Sequence, residues 1–342
     1  MQVEPQVDII NKTGILTMQI KAIQIAKPGP PSVMKWKSID LPKPVRGEVT
    51  VRHTSIGFNF IDCNHRAGRY PLEMPTGIGS EAAGVIEATG PGVKELKVGQ
   101  RVVYIGKVGS YSEAQNVPSN ICVPIPRDIS DEQAAATHLK GMTVEMLLER
   151  VHKTKKGDVL LMHSAAGGVG LMLCQWANSL GATVIGTAST AGKCKQILAA
   201  GGHYAIDTSR QDVVKRIMRL TKNKGVDVIY DPVGKDTWET SLACLKDRGL
   251  LASFGGASGP VPMVNLNEPR FMGRAPFIVR ASLFNYCASS EDRKLSSKRV
   301  FSMIRSGKIT LKINQRYSLS EAMKLHKDVE SRKLTGISML VP

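Results

Sequence analysis

His163-Ser164-Ala165-Ala166-Gly167-Gly168-Val169-Gly170 is the stretch on which the fold turns. The run before it, 158–163, reads as a buried strand, and the run after it, 168–180, as a helix closed by Gly181. The pattern departs from strict G-x-G-x-x-G: small Ser164 and Ala166 precede Gly167, and Gly170 closes it. Small residues here let the backbone reach a pyrophosphate, whose charge exposed amides and a helix N-terminus stabilise. A lone glycine-rich loop is usually an ordinary turn, but between a strand and a helix it reads as a dinucleotide site.

Working toward the C-terminus, short apolar runs alternate with helical-period segments. Strands are expected at 182–188, 204–206, 226–230 and 250–254, and helices at 191–200, 212–221 and 235–245. The strand at 226–230 stops at Asp231-Pro232, where the proline has no N–H for a ladder. This alternation is that of an α/β doubly wound parallel sheet with a nucleotide site at its carboxyl edge. Toward the N-terminus, from about residue 20 to 139, short β-branched runs (48–56, 83–90, 101–105, 120–124) separated by Gly and Pro turns predict a β-rich, barrel-like unit. The tail, with segments at 296–306, 310–314, 320–331 and 338–341, carries too few strands for a third domain and is expected to complete the first. The expected organisation is an N-terminal extension at 1–17, a catalytic domain at 18–142 completed by 286–342, and a nucleotide-binding domain at 143–285 inserted into it.

The end of the second nucleotide-domain strand normally separates NADH from NADPH, because an acid there accepts hydrogen bonds from the ribose hydroxyls. Here it reads Gly186-Thr187-Ala188-Ser189-Thr190, and the next ionisable residue is Lys193. With hydroxyls and a cation in place of the acid, NADPH is expected. As a plain alternative, Lys193 is a solvated helix residue.

Composition narrows the classes. A hydrophobic fraction of 42% and a charged fraction of 22% are those of a globular protein. No apolar run approaches the roughly 18 residues of a membrane span. The six cysteines are scattered without a C-x-x-C, which encodes neither a disulfide framework nor a structural zinc lobe. Residues 1–17 contain Glu4 and Asp8 and lack arginine, unlike a signal or transit peptide, so the expected location is cytoplasmic. The formal charge of +17 attracts anions, though most basic residues read as solvated helix faces.

Several stretches together resemble the medium-chain dehydrogenase/reductase superfamily, and within it the zeta-crystallin-like quinone oxidoreductase branch. They are Gly57-Phe58-Asn59-Phe60-Ile61-Asp62, residues 66–71, Gly79-Ser80-Glu81-Ala82-Ala83-Gly84, Leu139-Lys140-Gly141-Met142-Thr143, the glycine turn, Cys174-Gln175-Trp176-Ala177, Asp236-Thr237-Trp238-Glu239 and Ser253-Phe254-Gly255. The resemblance implies a Rossmann domain inserted into a GroES-like catalytic domain. It also implies NADPH contacts at Asn59, Thr143, Ala166, Gly167, Gly168, Val169, Ser189, Lys193, Phe254, Gly255, Val279, Arg280 and Ser282. Zinc-dependent relatives carry a ligand cysteine where Asn59 stands and a ligand histidine where Ser80 stands, so no metal is expected. Relatives often have tyrosine at Thr208 and Asn64, an aromatic at Glu145 and a serine at Pro232, departures that bear on cofactor affinity and substrate shape.

Reduction of quinones by hydride transfer from NADPH is the function the resemblance implies. Asn59 would orient a carbonyl or ribose, and Tyr70 would donate to developing oxyanion charge, unless beside Pro71 it only packs a turn. A quinone is already an electrophile, so positioning and exclusion of water carry most of the catalysis. Reduction of enone or enal double bonds is a second reading. Single-stranded RNA binding, as in some zeta-crystallin-like proteins, is a third, of another class. Family members are usually homodimers or homotetramers, and the apolar run at 274–280 is the candidate pairing edge, or an internal strand.

Overall fold

The computed structural model, which describes residues 8–10, 16–310, 312–331 and 334–342, forms two compact units. The first comprises the described residues up to Leu139, then Ser289–Ser297 and the described residues beyond 311; the second comprises Lys140–Ala288 and Lys298–Thr310. The unit boundaries therefore differ from the expected 142/143 and 285/286. Residues 298–310 belong with the nucleotide unit, because Val300 packs on Gly141 and Thr310 N–H donates to Gln175 Oε1 at 2.7 Å.

In the first unit a seven-stranded sheet is built around Glu48–Gly57, which pairs antiparallel with Glu81–Thr89, Ala114–Pro118 and the C-terminal strand Ile337–Val341. The tail thus adds its strands to the sheet begun by the N-terminal half. A smaller sheet holds Asp8–Ile10, Leu16–Ile25, Lys35–Pro42 and Thr76–Gly77. Asp8 lies opposite Met18, so residues 8–10 of the expected extension form a strand; residues 1–7 and 11–15 lie outside the described residues. Ile23, Val51, Ile56, Ile86 and Tyr104 are buried in one core between these layers. The helix Asp131–Glu145 arises in the last part of the stretch read as β-rich. Its start is a reciprocal cap, with Ser130 N–H donating to Gln133 Oε1 and Gln133 N–H to Ser130 Oγ. Residues 134–136 and 144–148 of this helix and the turn that follows are all buried, which erases the amphipathic period that would have marked it.

The second unit is a six-stranded parallel sheet in the order Tyr204–Asp207, Thr183–Ala188, Val159–Met162, Val226–Asp231, Leu245–Ser253, Phe277–Arg280. Counted along the chain this is 3-2-1-4-5-6, which reverses direction beside Val159–Met162 and opens a crevice at the carboxyl edge. Leu161, Ile185, Ile206, Ile229, Leu251 and Trp238 form its core. The expected helix 235–245 is a short turn at Lys235–Thr237 followed by Trp238–Cys244, and Leu245 already pairs with Val226. That early strand start was hidden by the polar Lys246-Asp247-Arg248-Gly249, where Arg248 adopts φ +58° and the register shifts.

Candidate functional site

The glycine turn leaves the central strand Val159–Met162 and enters the helix Gly168–Ser179. Ser164 takes the left-handed φ of +53°, and Ala165 N–H donates to Thr187 O at 2.9 Å, which pins the turn to the second strand. A Cβ on Gly170 would lie 2.5 Å from both Cα and O of Ala165, so only glycine permits this packing of helix on turn. At Gly167, the N-cap, a Cβ would meet only Ser164 O at 3.5 Å, which leaves that face open. First-turn amides of a helix have no partner within it, and here they face the open cap.

Beneath the turn runs a polar chain that reading the sequence missed. Buried His163 bridges Thr187 Oγ1 (Nδ1, 3.2 Å) and Ser241 Oγ (Nε2, 3.0 Å), and Ser241 in turn reaches Asp231 Oδ2 at 3.4 Å. Asp231 also accepts from Val233 N–H (2.7 Å), Gly234 N–H (3.1 Å) and the Thr237 hydroxyl (2.7 Å). Ser164 N–H donates to Thr187 Oγ1 at 3.3 Å. Burial lowers the pKa of His163, with the Asp231 charge opposing. A neutral ring that accepts from Thr187 and donates to Ser241 leaves Asp231 as the final acceptor, and every donor is then used. The signal was the placement of His163, Thr187 and Asp231 at the ends of three adjacent strands.

The expected contact residues gather unevenly. Ala166 is buried and Gly167, Gly168 and Val169 half-buried at the turn, while Ser189 and Lys193 follow the second strand. Thr190 caps the helix Ala191–Ala199 by accepting from Lys193 N–H. Phe254 N–H donates to Asp231 O, and Ala281 N–H to Ser253 O, so Phe254, Gly255, Val279, Arg280 and Ser282 share the same carboxyl edge. A Cβ on Gly255 would stand 2.3 Å from Pro232 O. Arg280 is exposed and donates to Ser253 O at 3.2 Å. Thr143 is buried in the helix Asp131–Glu145 rather than on the sheet edge. Glu145, also buried, is ion-paired with Arg150 (3.0 Å) and Arg299 (2.5 Å). No acid ends the second strand, as expected, but Asp207, at the end of the third strand, stands in register beside its Ala188.

In the first unit, Asn59 is the N-cap of the helix Phe60–Ala67. Its N–H donates to Asp62 Oδ2 (2.9 Å) and its side-chain Nδ2 to Glu81 Oε2 (2.7 Å). Glu81 is fully buried and also accepts from Leu139 N–H at 2.6 Å. Asp62 accepts from the Ser80 hydroxyl (2.7 Å) and from Tyr111 (3.1 Å), whose hydroxyl also meets His326 Nε2 at 3.2 Å. Burial, with the Arg66 charge, lowers the pKa of His326 to about 3, so the ring is neutral. Tyr70 is half-buried in the turn after the helix, its ring edge-on to His65 at 6.0 Å. The donors at Asn59 and Ser80 do not fit a zinc ion. An amide and a hydroxyl, each bonded to a carboxylate, replace soft or imidazole ligands, and no group of three or more His, Cys, Asp or Glu side chains converges among the described residues.

Residues 45–127 match the alcohol dehydrogenase GroES-like domain and residues 168–292 the zinc-binding dehydrogenase family. A quinone oxidoreductase of Pseudomonas aeruginosa is 43% identical across 94% of this chain and 99% of its own length. A 2-haloacrylate reductase of a Burkholderia species is 38% identical, again across 94% of this chain and 99% of its own. The crystal structure of Escherichia coli quinone oxidoreductase complexed with NADPH superposes with a TM-score of 0.91 at 42% identity, covering 94% of this chain and all of that one. Identity at this level over nearly the whole length, with the same two-unit architecture, places the chain in the quinone oxidoreductase branch of the medium-chain dehydrogenase/reductase superfamily.

Proposed function

We infer that this protein reduces quinones with NADPH. The observation that carries the reading is the carboxyl edge of the six-stranded sheet. There a turn that only glycine can close at position 170 opens onto a helix N-terminus, and Lys193 follows the second strand in place of an acid. The likeness to the NADPH-complexed E. coli enzyme supports it. Ala166, Gly167, Gly168 and Val169 hold the pyrophosphate, Ser189 and Lys193 the adenosine phosphate, and Phe254, Gly255, Val279, Arg280 and Ser282 line the remainder of the edge. Thr143 and Asn59 complete the set. When bound, NADPH supplies a hydride.

The protein's own work is positioning and exclusion of water, since a quinone needs little activation. Asn59, held through one amide hydrogen by Glu81, orients a carbonyl or ribose hydroxyl. Tyr70 donates a hydrogen bond to oxygen that gains negative charge, and water supplies the proton of the hydroquinone. The test is NADPH oxidation by ortho- and para-quinones. Turnover is expected with at least one class, and rates no higher than background with all of them reject the reading.

Reduction of an activated carbon–carbon double bond is a second reading, favoured by the likeness to the 2-haloacrylate reductase. It uses the same cofactor and a similar oxygen stabiliser. Rates on an enone and a 2-haloacrylate against a quinone, at equal NADPH, separate the two.

A further inference from the structure

The carboxylate beside the adenosine end poses a problem for a phosphate-bearing cofactor, and the residues around it supply an answer. Asp207 closes the third strand directly beside Ala188, the last residue of the second. The next residue, Thr208, is tied to Ala188 O twice, by its N–H at 2.8 Å and its hydroxyl at 3.2 Å. The turn 207–210 is therefore fixed against the end of the second strand. Asp207 Oδ1 accepts from both N–H (3.0 Å) and Oγ (2.7 Å) of Ser209, while Arg210 N–H donates to Asp207 O at 3.1 Å. The Ser209 hydroxyl, and to a lesser degree the Arg210 charge, hold the Asp207 carboxyl below its usual range, so it is ionised at neutral pH. The helix Ala191–Ala199, which carries Lys193, begins three residues after Ala188, the partner of Asp207. A phosphate beside Lys193 would thus meet an anion as well as a cation.

We propose that Asp207 and Arg210 are opposing specificity determinants at the adenosine end: Arg210 supplies the second cation for the 2′-phosphate, and Asp207 weakens phosphate binding and favours the free ribose hydroxyls of NADH. This inference rests on the NADPH reading above. Arg210 is exposed and its guanidinium is free to swing toward a phosphate, where a charge-assisted bond forms that NADH cannot make. An acid near the ribose does the reverse, accepting from hydroxyls and repelling phosphate.

The experiment is calorimetric binding of 2′,5′-ADP and 5′-AMP, with NADPH and NADH titrated by fluorescence in parallel. Arg210→Ala is expected to weaken 2′,5′-ADP and NADPH about tenfold and leave 5′-AMP and NADH within about twofold. Asp207→Asn is expected to tighten the phosphate-bearing ligands several-fold, and the double variant, which restores the wild-type net charge, to return the preference close to wild type. Equal changes for both ligand classes in Arg210→Ala, or weaker 2′,5′-ADP binding in Asp207→Asn at an unchanged melting temperature, overturn the proposal. Lys193→Ala serves as the reference. If the wild type does not prefer the phosphate-bearing ligands and Lys193→Ala changes nothing, the NADPH reading itself has failed and this proposal falls with it. If Lys193→Ala lowers the preference and Arg210→Ala does not, only the present inference is lost.

Discussion

A single added methyl group at Gly170 would stand 2.5 Å from the backbone of Ala165, which no side-chain rotation can relieve. Gly170→Ala is expected to cost about 1–3 kcal/mol of stability by overpacking and to weaken NADPH at least tenfold, read by thermal melting and fluorescence titration. Gly167→Ala, with its open face, should fold like the wild type and lose affinity only, which separates packing from binding. His163 acts one layer below. An asparagine at 163 keeps an acceptor near the Nδ1 position and a glutamine keeps a polar atom near Nε2, so His163→Asn should retain more NADPH affinity than His163→Gln if the Thr187 side of the chain holds the loop. Steady-state KM values for NADPH and quinone at matched melting temperatures check this, and a change confined to the quinone KM would count against it. The glycine turn was legible in the sequence because its residue types are forced by close approach. The His163 chain was not, because hydrogen bonds between strand ends depend on sheet order, which no local pattern states.

At the scale of elements, the parallel alternation was plain, since each strand buried on both faces is a short apolar run between turns. Elements with atypical burial were missed or misplaced: the helix Asp131–Glu145, which buries polar residues such as Thr137, His138 and Glu145 along with its apolar ones, and the strand opening at Leu245, masked by three charged residues and a glycine. The candidate pairing edge at 274–280 shrinks to Phe277–Arg280. Ala275 takes φ +43°, Pro276 has no N–H to give a ladder, and Arg274 donates to Leu242 O. This strand is the last of the six-stranded sheet, with Phe277 62% exposed and Ile278 38%. An apolar edge strand of this kind pairs readily, and we propose that the expected homodimer or homotetramer assembles through it. Phe277→Glu combined with Ile278→Lys is expected to halve the mass seen by light scattering while leaving NADPH binding within about threefold; an unchanged mass would place the contact elsewhere.

Over the whole molecule, charge and buried histidines set the response to pH. Burial lowers the pKa of His53 to about 4 and of His138 to about 3, and burial with the Arg66 charge lowers that of His326 to about 3. In the unfolded chain each titrates near 6.5, so acid loads protons onto the unfolded state first. The stability from keeping these rings neutral is complete above about pH 6.5 and drains away as the pH falls toward 4. Each ring contributes a slope of about 1.4 kcal/mol per pH unit. Urea midpoints between pH 7.5 and 4.5 should fall steadily, and His53→Asn, whose amide keeps a donor near the Nδ1 position that meets Ser112 O, should flatten the curve. No local pattern marks these histidines in the sequence, because their burial is a property of the assembled core.

The return of residues 298–310 to the nucleotide unit has a practical bearing on cutting and grafting. A fragment stopped at Ala288 would bare the groove at Gly141 where Val300 sits, strand Gln175 without Thr310, and leave Glu145 short of one arginine. Chimeras that exchange cofactor modules between relatives should therefore be joined so that residues 298–310 travel with the nucleotide sheet, and a splice that respects only chain continuity should yield sticky, poorly soluble protein.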